Sequence, residues 1–98
     1  MAYCNISSIT NPTSTSSYAA GTVVTVTWSF SGQCNLWNVT QIILQSNYSG
    51  GWSTVSTLFS GLDRVTSGSK NVTLPSSVTN EGDYYRLKVV YEMDEEVE

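Results

Sequence analysis

The stretch Thr22–Phe30, reading Thr-Val-Val-Thr-Val-Thr-Trp-Ser-Phe, constrains this chain more than any other. In an extended backbone Val24, Val26, Trp28 and Phe30 fall on one face, and Thr25, Thr27 and Ser29 on the other. A period of two, carried by β-branched and aromatic residues, describes a strand with one buried side. The buried side needs a second layer of the same kind. Further strand patterns supply it: Val39–Gln45, with Ile42 and Leu44 on one face and Val39, Gln41 and Ile43 on the other; Trp52–Phe59, which Ser60-Gly61 should break; and Lys70–Leu74, ending at Pro75. Tyr84–Tyr91 sets Tyr85, Leu87, Val89 and Tyr91 against Tyr84, Arg86, Lys88 and Val90. Ile6–Ile9 reads as a short edge strand, followed by a Ser/Thr-rich loop over Asn11–Ala20. No helical period of useful length appears. Six short strands with turn signals between them predict an all-β fold, an antiparallel β-sandwich.

At 98 residues the chain reads as one domain, residues 1–91, followed by an acidic tail, residues 92–98. A domain of this size buries only about 60–70% of its unfolded surface, so its core is thin. Charge is scarce: 12% of residues are charged, and Ser, Thr, Asn and Gln must supply the polar surface. The net charge of −4 is local. Arg64, Lys70, Arg86 and Lys88 face only Asp63, Glu81 and Asp83 before residue 92, whereas Glu92–Glu98 holds five acids. Four scattered bases make no footprint for nucleic acid. The tail reads as a solvated end, with a calcium site or an interaction arm as the sharper alternative.

Four Asn-X-Ser/Thr triplets are present, at Asn5, Asn38, Asn47 and Asn71, and none has proline in the middle. That exceeds what chance gives in a chain this rich in Asn, Ser and Thr. Each is an acceptor pattern for N-glycosylation, placed beside or between strands where a sugar is tolerated, with the turn residue Asn47 the most accessible. Cys4 and Cys34 fit one disulfide, which closes a loop worth roughly 3–4 kcal/mol in the chain-entropy model, or else they are two buried free thiols. Sequons with a cysteine pair point to an oxidising compartment, and so to an extracellular or cell-surface location. The start, Met1-Ala2-Tyr3-Cys4, carries no signal-peptide pattern, and no apolar run is long enough for a membrane span. A secreted form of this sequence is therefore expected to be a mature piece or a fragment.

Three segments together resemble the Kre9/KNH-like domain of Ser/Thr-rich cell-wall and GPI-anchored proteins. They are Ile9-Thr10-Asn11-Pro12 leading into Ala20–Trp28, then Val72-Thr73-Leu74-Pro75-Ser76-Ser77, then Gly82–Val89. The resemblance implies an immunoglobulin-like sandwich of about six to seven strands with a surface or wall role, and it transfers no catalytic residue. It also implies Trp28 between the sheets, Pro75 at a strand end, and a tyrosine corner at Asp83-Tyr84-Tyr85. Two features depart from it. The cysteine pair lies outside the pattern, and the final strand expected after Val90 is replaced by Glu-Met-Asp-Glu-Glu-Val-Glu. The sandwich is thus expected to lack its last strand, leaving Tyr84–Tyr91 as an open edge. A neighbouring copy can fill such an edge by strand addition and build a filament. A ragged cis strand within residues 90–97 is the alternative.

Catalysis has little to work with. Histidine is absent, which removes Ser-His-Asp triads and His-based metal sites; two cysteines cannot make a Cys₄ zinc site. Asp63, Glu81 and Asp83 read as solvated turn acids rather than a glycosidase pair. No enzyme, cofactor or metal is expected. The chain reads as a structural glycoprotein subunit whose partners are copies of itself or neighbouring domains, plus covalent glycans, with no membrane insertion. A carbohydrate-binding module using Trp37, Tyr48 and Trp52 is one rival reading. An adhesion-type domain of a larger surface protein is another.

Overall fold

The structure, a computed structural model, describes residues 4–13, 18–47, 50–76, 85–92 and 95–98. Seven strands follow one another: β1 (Cys4–Asn11), β2 (Val23–Gly32), β3 (Asn38–Ser46), β4 (Ser53–Arg64), β5 (Ser69–Thr73), β6 (Tyr85–Tyr91) and β7 (Glu95–Val97). A single 3-10 turn, Val65–Ser67, joins β4 to β5. The strands form two antiparallel sheets, ordered β1-β2-β5 and β4-β3-β6-β7. The fold is the expected immunoglobulin-like sandwich.

The alternation of β2 does what its pattern requires. Val24, Val26 and Trp28 are buried and face Ile42, Leu44, Leu87 and Val89 of the other sheet in one core cluster. Phe30 is the exception on that face. It lies in register with buried Ile6 near the end of the sheet, where little covers it, and stays 38% exposed. Trp28 is fixed as well as buried, because its indole Nε1–H donates to the Val65 carbonyl at 2.9 Å. That bond spares the core an unpaired donor.

Two expectations about faces and ends need correcting. Val39 does not point away from Ile42 and Leu44 but joins them in the core, fully buried. The register steps from Val39↔Tyr91 to Gln41↔Val90, so Thr40 is an extra residue in β3. One inserted residue reverses the side-chain parity before it. Second, Ser60-Gly61 does not end β4, which continues to Arg64. The irregularity is absorbed as a register shift, one of three along the β3–β4 pairing. Gly61 takes φ 154° there, and a Cβ on it would meet the Phe59 ring at 3.5 Å.

The last strand is present in the chain itself. β7 pairs antiparallel with β6 over Val89–Tyr91, so the edge expected to be empty is filled along that length. Residues 92–98 are therefore not simply a free tail. Glu-Glu-Val-Glu alternates, placing Val97 against the core while Glu96 and Glu98 turn outward. There Glu96 meets Lys88 at 3.3 Å and Glu98 meets Arg86 at 3.9 Å. Glu96 and Glu98 suit this edge because β6 presents two bases on its outer side.

Two further ties hold β1. Cys4 and Cys34 form a disulfide between β1 and the β2–β3 loop, both buried, so the free-thiol alternative does not apply. The Ile6 amide N–H of β1 donates across the core to the Tyr91 hydroxyl of β6 at 3.1 Å. Pro75 follows the end of β5, as the resemblance implies. The tyrosine-corner positions Asp83 and Tyr84 lie outside the described residues.

Candidate binding surfaces

The loop Gly32–Asn38 connects β2 to β3 across the end of the sandwich, and the disulfide at Cys34 anchors it. The Trp37 amide donates to the Cys34 carbonyl at 3.0 Å, and the Val65 amide donates to the Trp37 carbonyl at 2.9 Å. The Trp37 ring leans on Tyr91, with ring centroids 6.1 Å apart and planes tilted by 51°. Beside it Leu36 is 76% exposed. Gln33, Asn35, Leu36 and Trp37 line a shallow cleft of about 280 Å³.

Trp52 sits elsewhere. It precedes β4, whereas Trp37 precedes β3, and the two strands run antiparallel. The nine residues of β3 separate the two rings by roughly 30 Å at a strand rise of about 3.3 Å. The rival reading's platform of Trp37, Tyr48 and Trp52 on one open face is therefore not assembled by Trp37 and Trp52; a hairpin carries residues at its two ends, and these two are at opposite ends. Tyr48 lies outside the described residues. Trp52 has its own company. The Arg86 guanidinium stacks 4.2 Å from its ring centroid, and Arg86 Nε–H donates to Gln45 Oε1 at 2.9 Å. One face of the Trp52 ring is thus already taken by a cation.

The four sequons fall in unlike surroundings. Asn38 opens the central strand β3, half-buried, and both its backbone N–H and its side-chain Nδ2 donate to the Glu92 carboxylate at 3.2 Å. Its glycan-accepting nitrogen is engaged, and the next residue, Val39, is fully buried. Asn5 is half-buried between Cys4 and Ile6. Asn47 begins the β3–β4 turn, where the Gly50 amide donates to its carbonyl, and its side-chain Oδ1 is buried without a partner among the described residues. Asn71 alone is exposed. It lies on the edge strand β5, and its Oδ1 accepts from the Thr25 hydroxyl at 2.6 Å, which leaves Nδ2 on the outer side. Glu92 was not legible as the partner of Asn38. Only the pairing of Val39 with Tyr91 brings the two ends of these strands together.

Reactive chemistry does not gather anywhere in the described residues. No group of three or more His, Cys, Asp or Glu side chains is placed to hold a metal ion. Asp63 pairs with Lys70 at 3.8 Å, and the Lys70 ammonium also lies 4.7 Å from the Phe59 ring centroid. Glu81 and Asp83 lie outside the described residues. Among the described residues no helix is long and apolar enough to cross a membrane.

With Trp28 at the centre, Pro75 beyond β5 and seven strands in two sheets, the comparison with known families is decisive. The sequence matches the family model of the Kre9/KNH-like N-terminal Ig-like domain over residues 11–98. The chain belongs to the Kre9/KNH-like Ig-like domain family. Searches of curated proteins and of solved structures returned no match. The family is a cell-wall-associated Ig-like domain, which agrees with an extracellular structural role for this Kre9/KNH-like domain. The match begins at Asn11, so most of β1 and its Cys4 stand ahead of the matched range.

Proposed function

We propose that this Kre9/KNH-like domain is a structural, N-glycosylated module of a cell-surface, wall or filament assembly, with Asn71 as its principal glycan site. The outer face of the β1-β2-β5 sheet carries this reading. Ser7 and Ser8 both hydrogen-bond Ser29, at 2.9 and 3.0 Å; Thr10 meets Thr27 at 2.8 Å, and Thr25 meets Asn71. The outward positions of these three strands hold no Lys, Arg, Asp or Glu. A face built of cross-linked hydroxyls stays hydrated without charge, which suits a polysaccharide-rich setting, and Asn71 stands at its edge.

Secretion of the chain from a eukaryotic host, with intact mass before and after enzymatic deglycosylation, tests the glycan. Asn71→Gln is expected to remove most of the sugar mass, and Asn38→Gln none. Four unmodified asparagines would end the glycoprotein reading. Contact with neighbouring copies is assigned to the β6 edge, because β7 covers only Val89–Tyr91 of a strand that begins at Tyr85. Sedimentation over a range of concentrations checks this, with reversible self-association the expected result.

A further inference from the structure

We infer that the Gln33–Trp37 loop is a binding site for one neutral hexopyranose ring. The cleft of about 280 Å³ falls just below the ~300–1,000 Å³ typical of ligand pockets, so it suits a single ring rather than an extended ligand. Its walls are of two kinds. The Trp37 indole and the exposed Leu36 offer apolar surface, while Gln33 and Asn35 each bring a carboxamide with both donor and acceptor. A pyranose has this same division, with C–H groups on its faces and hydroxyls around its rim. Among the described residues no charged side chain lines the cleft. Phosphates, carboxylates and cations therefore find no counter-ion there, whereas a neutral polyol needs none.

The loop is also held in advance of any ligand. Cys34 is fixed by its disulfide to β1, the Trp37 backbone is bonded on both sides, and its ring rests on Tyr91. A site fixed in this way loses little entropy on binding. The side chains of Gln33 and Asn35 make no hydrogen bond with the described residues, so their amides remain available to a ligand. The inference stands apart from the structural role and the glycan at Asn71, and neither depends on it.

The test is an NMR titration of the full chain, ¹⁵N-labelled, with methyl glycosides of glucose, mannose, galactose and N-acetylglucosamine and with their short oligomers. The three indole N–H signals report separately on Trp28, Trp37 and Trp52. At sugar concentrations up to ~50 mM, sufficient to load a site of millimolar affinity, the Trp37 indole and the Gln33 and Asn35 side-chain amides should shift saturably. Trp28 and Trp52 should stay still. Trp37→Ala removes packing on Tyr91 and risks the fold, so exposed Gln33→Ala and Asn35→Ala carry the argument. Each should weaken binding about two- to tenfold, the worth of a hydrogen bond or so. The inference is overturned if no sugar in the panel gives a saturable shift, if Trp52 responds instead, or if both variants bind as tightly as the parent. It is overturned also if the Trp37 signal moves with protein concentration alone, which would mark the cleft as a contact between copies.

Discussion

The first and last strands, β1 and β7, both lie at sheet edges, yet they are held by opposite means. β1 pairs along its whole length with β2, buries Cys4 and Ile6, is tied to the β2–β3 loop by the disulfide, and is bonded to the other sheet by the Tyr91 hydroxyl. β7 pairs over three residues, buries only part of Val97, and is otherwise held by two surface ion pairs. A covalent link and a buried hydrogen bond do not respond to salt, whereas exposed ion pairs do, and they contribute little each. One edge is locked. The other is held only by contacts that salt and substitution can weaken.

Removing the lock should have the largest effect. Cys4→Ala with Cys34→Ala is expected to cost about 3–4 kcal/mol by the loop-closure account. Thermal unfolding would then drop by roughly 15–25 °C for a domain of this size. An unchanged midpoint would mean that β1 is held by its pairing alone, and the contrast between the two edges would vanish. Tyr91→Phe comes next. It leaves the buried Ile6 N–H without its acceptor while keeping the ring in place, a loss of about 1–3 kcal/mol in urea unfolding. A smaller loss would show that water reaches Ile6.

The far edge should yield for much less. Glu96→Lys with Glu98→Lys turns two attractions to Lys88 and Arg86 into repulsions, at a cost near ~1 kcal/mol at low salt. That is a small loss beside the one expected for the disulfide. Hydrogen exchange should nevertheless accelerate at Glu95–Val97 and along Val89–Tyr91, and self-association should rise as β6 is uncovered. Raised salt should move the unaltered chain in the same direction and leave β1 as it was. Protection at β7 that survives both changes would assign its hold to Val97 packing instead.

Much of this architecture was legible in advance. Alternation located the inner faces of β2 and β6, the cysteine pair was read as a disulfide, and the family resemblance supplied the immunoglobulin-like class. Legibility failed where one residue changed the count. Thr40 adds a step to β3 and sends Val39 inward, and the shift near Gly61 lets β4 run on to Arg64. The final strand was legible only as an alternative to an empty edge, because five acids in seven residues resemble a solvated end. Its complement, Arg86 and Lys88, lies on a different strand, and a reading along the chain does not set them side by side.

The candidate sites divide in the same way. Sequence alone determines which residues are able to do chemistry here: four sequons, three tryptophans, no histidine. Their usefulness was decided by the tertiary structure. It ties Asn38 to Glu92 and leaves Asn71 at an open edge, places Trp37 in a cleft beside two carboxamides, and stacks Arg86 on Trp52. The physical reason is range. Side-chain alternation is set by each residue's own backbone and survives in a one-dimensional pattern, whereas register, bulges and cross-strand charge pairs join positions up to 85 residues apart and exist only once the sheets have packed.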